Sequence, residues 1–117
     1  STDFQMAGIV IDVAAHFSRV RALTDSDTNI AVRIVGSDVY GFMTGNGSKH
    51  PTIGFFSDPE FQPSNGIKLV TSNISGILPA GIIVGEIIDD TEVKVLQHSK
   101  LSRVMILKFD THKNGYK

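Results

Sequence analysis

Apolar and polar residues alternate with a period of two along most of this chain, and no segment keeps the three-to-four-residue recurrence of an amphipathic helix. Ile9, Ile11 and Val13 share one side of an extended segment, with Val10, Asp12 and Ala14 on the other, a half-buried strand pattern. Ser18 to Leu23 sets Arg19 and Arg21 against Val20 and Ala22, and Ile30 to Val35 sets Ile30, Val32 and Ile34 against Arg33. Further strands are predicted at Val39–Thr44, Ile53–Phe56, Ile67–Ser72, Ile82–Ile88, Glu92–Gln97 and Leu101–Phe109.

Turn chemistry separates these segments. The short polar side chains of Thr24 to Asn29 can bond their own backbone, and Gly36-Ser-Asp38 breaks the next run. Gly45-Asn-Gly47-Ser48 is a hairpin signal, because glycine and asparagine accept the positive φ of tight β-turns. Asp89-Asp-Thr91 and His98-Ser-Lys100 mark two more turns. Ser57 to Asn65, with Pro59 and Pro63, is the longest connection and the candidate boundary between lobes. Short strands separated by regular turns predict an all-β, mainly antiparallel barrel or sandwich, either one unit or two small barrel-like lobes. The polar residues Asp110 to Lys117 read as a tail.

The most informative stretch runs from Leu69 to Ile87: a strand, a connection marked by Gly76, Pro79 and Gly81, and a second strand. Pro79 has φ preset for the second position of a β-turn, which Gly81 would close. Apart from the Thr71 and Ser72 hydroxyls and Glu86, the stretch carries little that could do chemistry. Its residues specify architecture.

The same stretch resembles the C-terminal signature of the bacterial rod-shape-determining MreC family. Val70-Thr71-Ser72, Gly76, Pro79, Gly81 and Val84-Gly85 fall on that pattern, while Ile67, Asn73 and Ile83 depart from it. The likeness extends upstream through Gly8–Val13, Ser18-Arg-Val20, Leu23-Thr-Asp25, Ile30–Arg33 and Gly45-Asn-Gly47, and covers roughly residues 7 to 109. It implies a non-enzymatic scaffold of the cell-wall elongation machinery that supports peptidoglycan synthesis and rod shape. The implied partners are penicillin-binding proteins, the membrane protein MreD and further copies of the chain. The implied location is the periplasmic or extracytoplasmic face of the cytoplasmic membrane, with this chain a portion of a membrane-anchored protein.

Composition narrows the alternatives. Eleven basic and twelve acidic residues leave a formal charge of −1, so there is no basic field to draw in a nucleic acid backbone. With no cysteine the chain forms neither disulfides nor thiolate metal sites. The four histidines, His16, His50, His98 and His112, are not at metal-ligand spacing, and no cofactor is expected.

Four other chemistries find weaker support in the residues. A β-barrel hydrolase could draw on His16, Asp25 or Asp27 and a serine such as Ser72, but Ser72 lacks the glycine packing of an exposed nucleophile. Asp27-Thr28-Asn29 has no second copy to share a proton, and Gly45–Lys49 lacks phosphate-loop spacing. A β-sandwich adhesion or carbohydrate-binding module would need exposed aromatic residues or an acidic calcium loop. The acidic pairs Asp25/Asp27 and Asp89/Asp90 do not have calcium-loop spacing.

Phe55, Phe56 and Phe61 gather around the proline-containing connection as the candidate interface. Adjacent Phe55 and Phe56 in one strand must face opposite ways, so one can enter the core while the other needs cover from a loop, a lobe or a partner. Weak self-association through strand edges or the Phe55–Phe61 region is expected.

Overall fold

The structure is a computed structural model, and it describes residues 5–96. Eight strands follow one another: β1 Gly8–Val13, β2 Ser18–Ala22, β3 Asn29–Ile34, β4 Tyr40–Thr44, β5 Thr52–Phe56, β6 Lys68–Thr71, β7 Ile83–Asp89 and β8 Glu92–Val95. Strands β3 to β8 close into an antiparallel barrel of order β3-β4-β5-β8-β7-β6, and β1 and β2 form a separate hairpin. The expected all-β architecture is therefore a barrel. The ninth predicted strand, the His98–Lys100 turn and the polar tail lie outside the described residues.

The barrel interior is filled by the inward positions of the alternating pattern. Val32, Met43, Ile53, Leu69, Val84, Ile87 and Val93 are almost wholly removed from water, with Ile30, Ile34 and Val95 beside them. Small barrels are packed in this way because their radius just accommodates side chains. Ser57–Asn65 does not divide the chain into lobes: β5 before it and β6 after it belong to the same closed sheet. It lies against the barrel instead, with Phe61 and Phe56 packed on the core, ring centroids 4.8 Å apart.

The division falls earlier, between the hairpin and the barrel. The base of the hairpin is anchored: Leu23 and Met6 are buried in the core, and the Met6 N–H donates to the Ile83 carbonyl at 2.7 Å. The far end stands clear. β1 is half-buried over its first three residues and exposed over its last three, so the half-buried face expected from its alternation is realised only near the barrel. Ile11, Val13, Phe17 and Val20 are consequently exposed. Between hairpin and barrel, Asp25 Oδ1 accepts the Asp27 N–H at 2.7 Å, and the buried Thr28 hydroxyl donates to the Ala22 carbonyl at 2.6 Å. These are the local bonds expected of that polar run.

The barrel closes where β6 pairs with β3, Val32 opposite Thr71 and Ile34 opposite Leu69. Thr71 has no exposed surface, and its hydroxyl works in two directions. It donates to the Pro79 carbonyl at 2.6 Å and accepts the Ile82 N–H at 2.9 Å, folding the connection after β6 back on its own start. Gly81 sits at φ +94°, a conformation that costs a side-chain-bearing residue, and its N–H donates to the Thr71 carbonyl at 2.9 Å. The bond runs to the end of β6, and Gly81 lies with Ala80 in a turn directly after Pro79. The Ser72 N–H extends the seam to the Ala31 carbonyl at 3.0 Å.

On the outer surface Lys68 stands opposite Glu86, with Nζ 2.6 Å from Oε1. Hydrogen bonding from Lys68, then its charge, holds the Glu86 carboxyl below its ordinary pKa; Lys94 adds to the effect and partial desolvation opposes it.

Two tests follow from this arrangement. Thr71→Val should cost about 1–3 kcal/mol, because it leaves the partly buried Pro79 carbonyl and Ile82 N–H without this partner. Gly81→Val should cost a similar amount, about 1–3 kcal/mol, through the forced φ. Ser72→Ala, which removes one acceptor for the Ile74 N–H at 3.2 Å, should cost no more than about 1 kcal/mol. Thermal melting of the three variants checks the order. Lys68→Ala should raise the Glu86 pKa toward its ordinary value in a carboxyl NMR titration. The sign follows from linkage: a lowered folded-state pKa gives stability that is present above the unfolded pKa and disappears as pH falls through the folded one.

Candidate functional site

Outward positions of β4 are Tyr40 and Phe42, because Gly41 and Met43 face the interior. Strict alternation in β5 would make Ile53 and Phe55 share the inner face. The pairing prevents this. Gly41 stands opposite Phe56 and Met43 opposite Ile53, so two residues of β5, Gly54 and Phe55, occupy the space facing Phe42 alone. Such a β-bulge adds one residue to a strand and shifts the phase of everything beyond it. Gly54 and Phe55 are both exposed, and Phe56 turns inward onto Phe61.

Gly41 makes the bulge possible. A Cβ at this position would stand 2.2 Å from the Phe55 carbonyl oxygen, a distance no side-chain-bearing residue can keep. Ser57 then fastens the end of the bulged strand: its N–H donates to the Tyr40 carbonyl at 2.7 Å, and its Oγ accepts the Tyr40 N–H at 3.0 Å.

The result is a three-ring patch outside the barrel. Phe42 and Phe55 have centroids 6.0 Å apart, Tyr40 and Phe42 are 6.2 Å apart at 89°, and Tyr40 and Phe55 are 6.3 Å apart. These separations are those of interacting aromatic side chains. Half of the Phe55 surface faces solvent, and Phe42 is exposed beside it. Phe55 also lines a shallow cleft of about 300 Å³ with Gly54, Phe56, Gln62, Pro63, Asp90 and Thr91.

The structure thus separates the three phenylalanines singled out as a candidate interface. Phe56 and Phe61 pack against the core, and Phe55 alone presents its ring to the outside. Tyr40 and Phe42, which join it from the outer face of β4, are distant from Phe55 in sequence, and both faces of β4 carry apolar residues, so spacing alone did not single them out. Thr71, Ser72, Gly76, Pro79, Gly81, Val84 and Gly85 lie together on the β6–β7 segment, as parts of the barrel wall and its connection. Val84 is core, and a Cβ on Gly85 would stand 2.1 Å from the Lys94 carbonyl oxygen. The connection also exposes Ile74 and Ile77.

The residues considered for catalysis sit in separate turns. His16 is exposed between β1 and β2, Asp25 and Asp27 lie before β3, and the Ser72 hydroxyl accepts a bond from its own connection. Among the described residues no three His, Asp or Glu side chains gather at metal-binding distance, and every buried side-chain nitrogen or oxygen has a hydrogen-bond partner. His50 pairs with Glu92 at 3.4 Å beside the barrel seam. No helix among them is long and apolar enough to cross a membrane.

Comparison with known proteins agrees with this architecture. The family model described as "Rod shape-determining protein MreC, barrel core" matches residues 2–113. The chain is 32% identical over 82 residues to the cell shape-determining protein MreC of Cereibacter sphaeroides, covering 70% of this chain and 27% of that protein. It is 33% identical over 82 residues to the cell shape-determining protein MreC of Caulobacter vibrioides, covering 68% of this chain and 23% of that protein. The chain therefore spans about a quarter of the length of these curated relatives. No solved structure matches it. With a packed six-stranded barrel and the family's signature forming its β6–β7 connection, the chain belongs to the MreC family of rod shape-determining proteins.

Proposed function

We propose that this chain is a non-enzymatic, extracytoplasmic scaffold of the cell-wall elongation machinery, maintaining rod shape through protein–protein contacts. The observation that carries this reading is the Tyr40–Phe42–Phe55 patch on the outside of a packed barrel. A filled interior favours work at the surface, and clustered exposed aromatic residues are the side chains that anchor protein interfaces. Penicillin-binding proteins, MreD and further copies of the chain are the partners this proposal takes from the family, with assembly at the periplasmic face of the membrane. Any self-association through the described surface is weak.

A carbohydrate-binding role is the alternative that the exposed rings bring forward. Their geometry favours protein. The rings are inclined to one another at 89°, 55° and 35°, so they do not form the flat platform on which a sugar face stacks.

The test is replacement of Phe42 and Phe55 together by serine in the membrane-anchored protein, expressed in cells lacking their own copy. The expected outcome is rounded cells at unchanged protein level, with the purified domain still folding cooperatively and losing about 1–3 kcal/mol from the ring contacts and the partly buried ring area. Normal rods would refute the patch as the working surface.

A further inference from the structure

The barrel is unevenly sealed. β7 pairs with β8 over four positions, whereas β5 and β8 share one registered pair, Thr52 opposite Glu92. Two further bonds flank it, from the Ile53 N–H to the Thr91 carbonyl at 2.8 Å and from the Val93 N–H to the Pro51 carbonyl at 2.9 Å. Beyond Thr91 the chain has already turned back into β7, so Gly54, Phe55 and Phe56 run past the end of their neighbour. The cleft opens there, with these residues as its floor and Asp90–Thr91 and Gln62–Pro63 as its walls.

Gly54 is unexplained by the barrel. It does not have positive φ, and a Cβ built on it meets nothing within 4 Å, so neither its conformation nor its packing requires glycine. A glycine in a strand weakens the strand and marks a bulge, a tight bend or the close approach of another backbone. This bulge is accommodated by Gly41 on the opposite strand. Gly54 is itself one of the two bulged residues, and a bare position there, in a cleft beside an open strand edge, also leaves room for another backbone to approach.

Charge identifies what approaches. Asp90 is the one charged side chain lining the cleft, and the surrounding segments 51–67 and 79–93, bounded by Lys68 and Lys94, contain no Lys or Arg but six carboxylates: Asp58, Glu60, Glu86, Asp89, Asp90 and Glu92. Glu86 is paired with Lys68 and Glu92 with His50. Asp58, Glu60, Asp89 and Asp90 are exposed and form no ion pair among the described residues. Asp90 lines the cleft itself, and Asp58 and Glu60 belong to the connection that supplies Gln62 and Pro63.

We propose that the cleft at the β5–β8 seam receives a short, extended, basic segment of a protein partner. The segment lies along the backbone of Gly54–Phe56 as an added strand, directs its Lys or Arg side chains to the acidic walls, and rests an apolar side chain on Phe55 and Phe42. Strand addition draws affinity from main-chain bonds and selectivity from alternate side chains, which matches an open edge flanked by an aromatic patch and carboxylates. The inference rests on the docking role proposed above and names the chemistry of the docked segment.

The test uses the full 117-residue chain, labelled with nitrogen-15. It is titrated with an eight-residue peptide alternating lysine and valine, with the same peptide carrying glutamate for lysine, and with a peptidoglycan-derived tetrasaccharide. The lysine peptide should move the amide signals of Gly54, Phe55, Phe56 and Thr91 saturably, and the glutamate peptide should not. Gly54→Val should weaken binding by about tenfold or more while leaving the melting temperature at or above that of the parent, since the added side chain meets open space. Asp90→Lys, in an exposed turn, should weaken it and flatten its salt dependence, and carries the test if the valine variant folds poorly. Equal response to both peptides, response only to the tetrasaccharide, or binding untouched by either substitution would overturn the proposal. In cells, normal rods with Gly54→Val but rounded cells with the Phe42/Phe55 double variant would refute the cleft and leave the docking patch standing. Normal rods with both would refute the docking role itself.

Discussion

Everything else in the barrel depends on the junction of β6 with β3, because a six-stranded sheet that failed to close there would expose two long edges and its apolar inner face. Closure rests on three registered pairs and on the Ser72 N–H bond to the Ala31 carbonyl, and Thr71, the residue opposite Val32, carries a buried hydroxyl. Thr71 lies on the core side of β6, where an alternating pattern calls for an apolar residue. A buried hydroxyl is costly unless both its donor and acceptor capacities are used, and here the Pro79 carbonyl and the Ile82 N–H use them. The same atoms fix the path of the connection into β7. A single polar side chain therefore couples closure of the sheet to the shape of the family's signature segment.

That coupling explains why the signature contains conformational and packing residues and few chemical ones. Gly81 supplies a φ that other residues resist, Gly85 lets β8 approach, and Val84 fills the interior. Ser72, the one hydroxyl that invited a catalytic reading, holds the backbone of Ile74. The chemistry of the stretch is spent on holding the wall of the barrel.

How much could be read in advance differs from strand to strand, for physical reasons. β3 and β4 keep strict alternation. In β3 the core face of Ile30, Val32 and Ile34 follows from spacing, whereas Tyr40 and Phe42 on one side of β4 and Val39 and Met43 on the other leave its faces undecided until the structure puts Met43 inside. β5 breaks alternation, because a bulge is a property of two paired strands. The step that sends Phe55 outward requires Gly41 on the neighbouring strand to admit the Phe55 carbonyl, and Gly54, the one bulge signal within Ile53–Phe56, does not by itself set the pairing. The reading that Phe55 and Phe56 face opposite ways holds, but which one faces out depended on the partner strand. In β1, alternation marked two faces, but burial is set by how far the hairpin extends from the barrel. The proline-containing Ser57–Asn65 segment looked like a boundary because its composition resembles a linker. Phe61 reverses that meaning by tying the segment to Phe56 and the core.

Closure normally removes edges, and this barrel leaves a short one. The one-pair seam between β5 and β8 coincides with the bulge, with open space over Gly54, and with Asp90 in the wall of the cleft. A long open edge would pair indiscriminately with other chains, whereas three residues beyond Thr52 and Ile53 offer too little main chain to bind without help from side chains. Help is available from the aromatic patch on one side and carboxylates on the other. Affinity at such a seam would then require the correct backbone, an apolar anchor and positive charge together, which is how a closed barrel could select one segment without pairing indiscriminately at its own exposed edge.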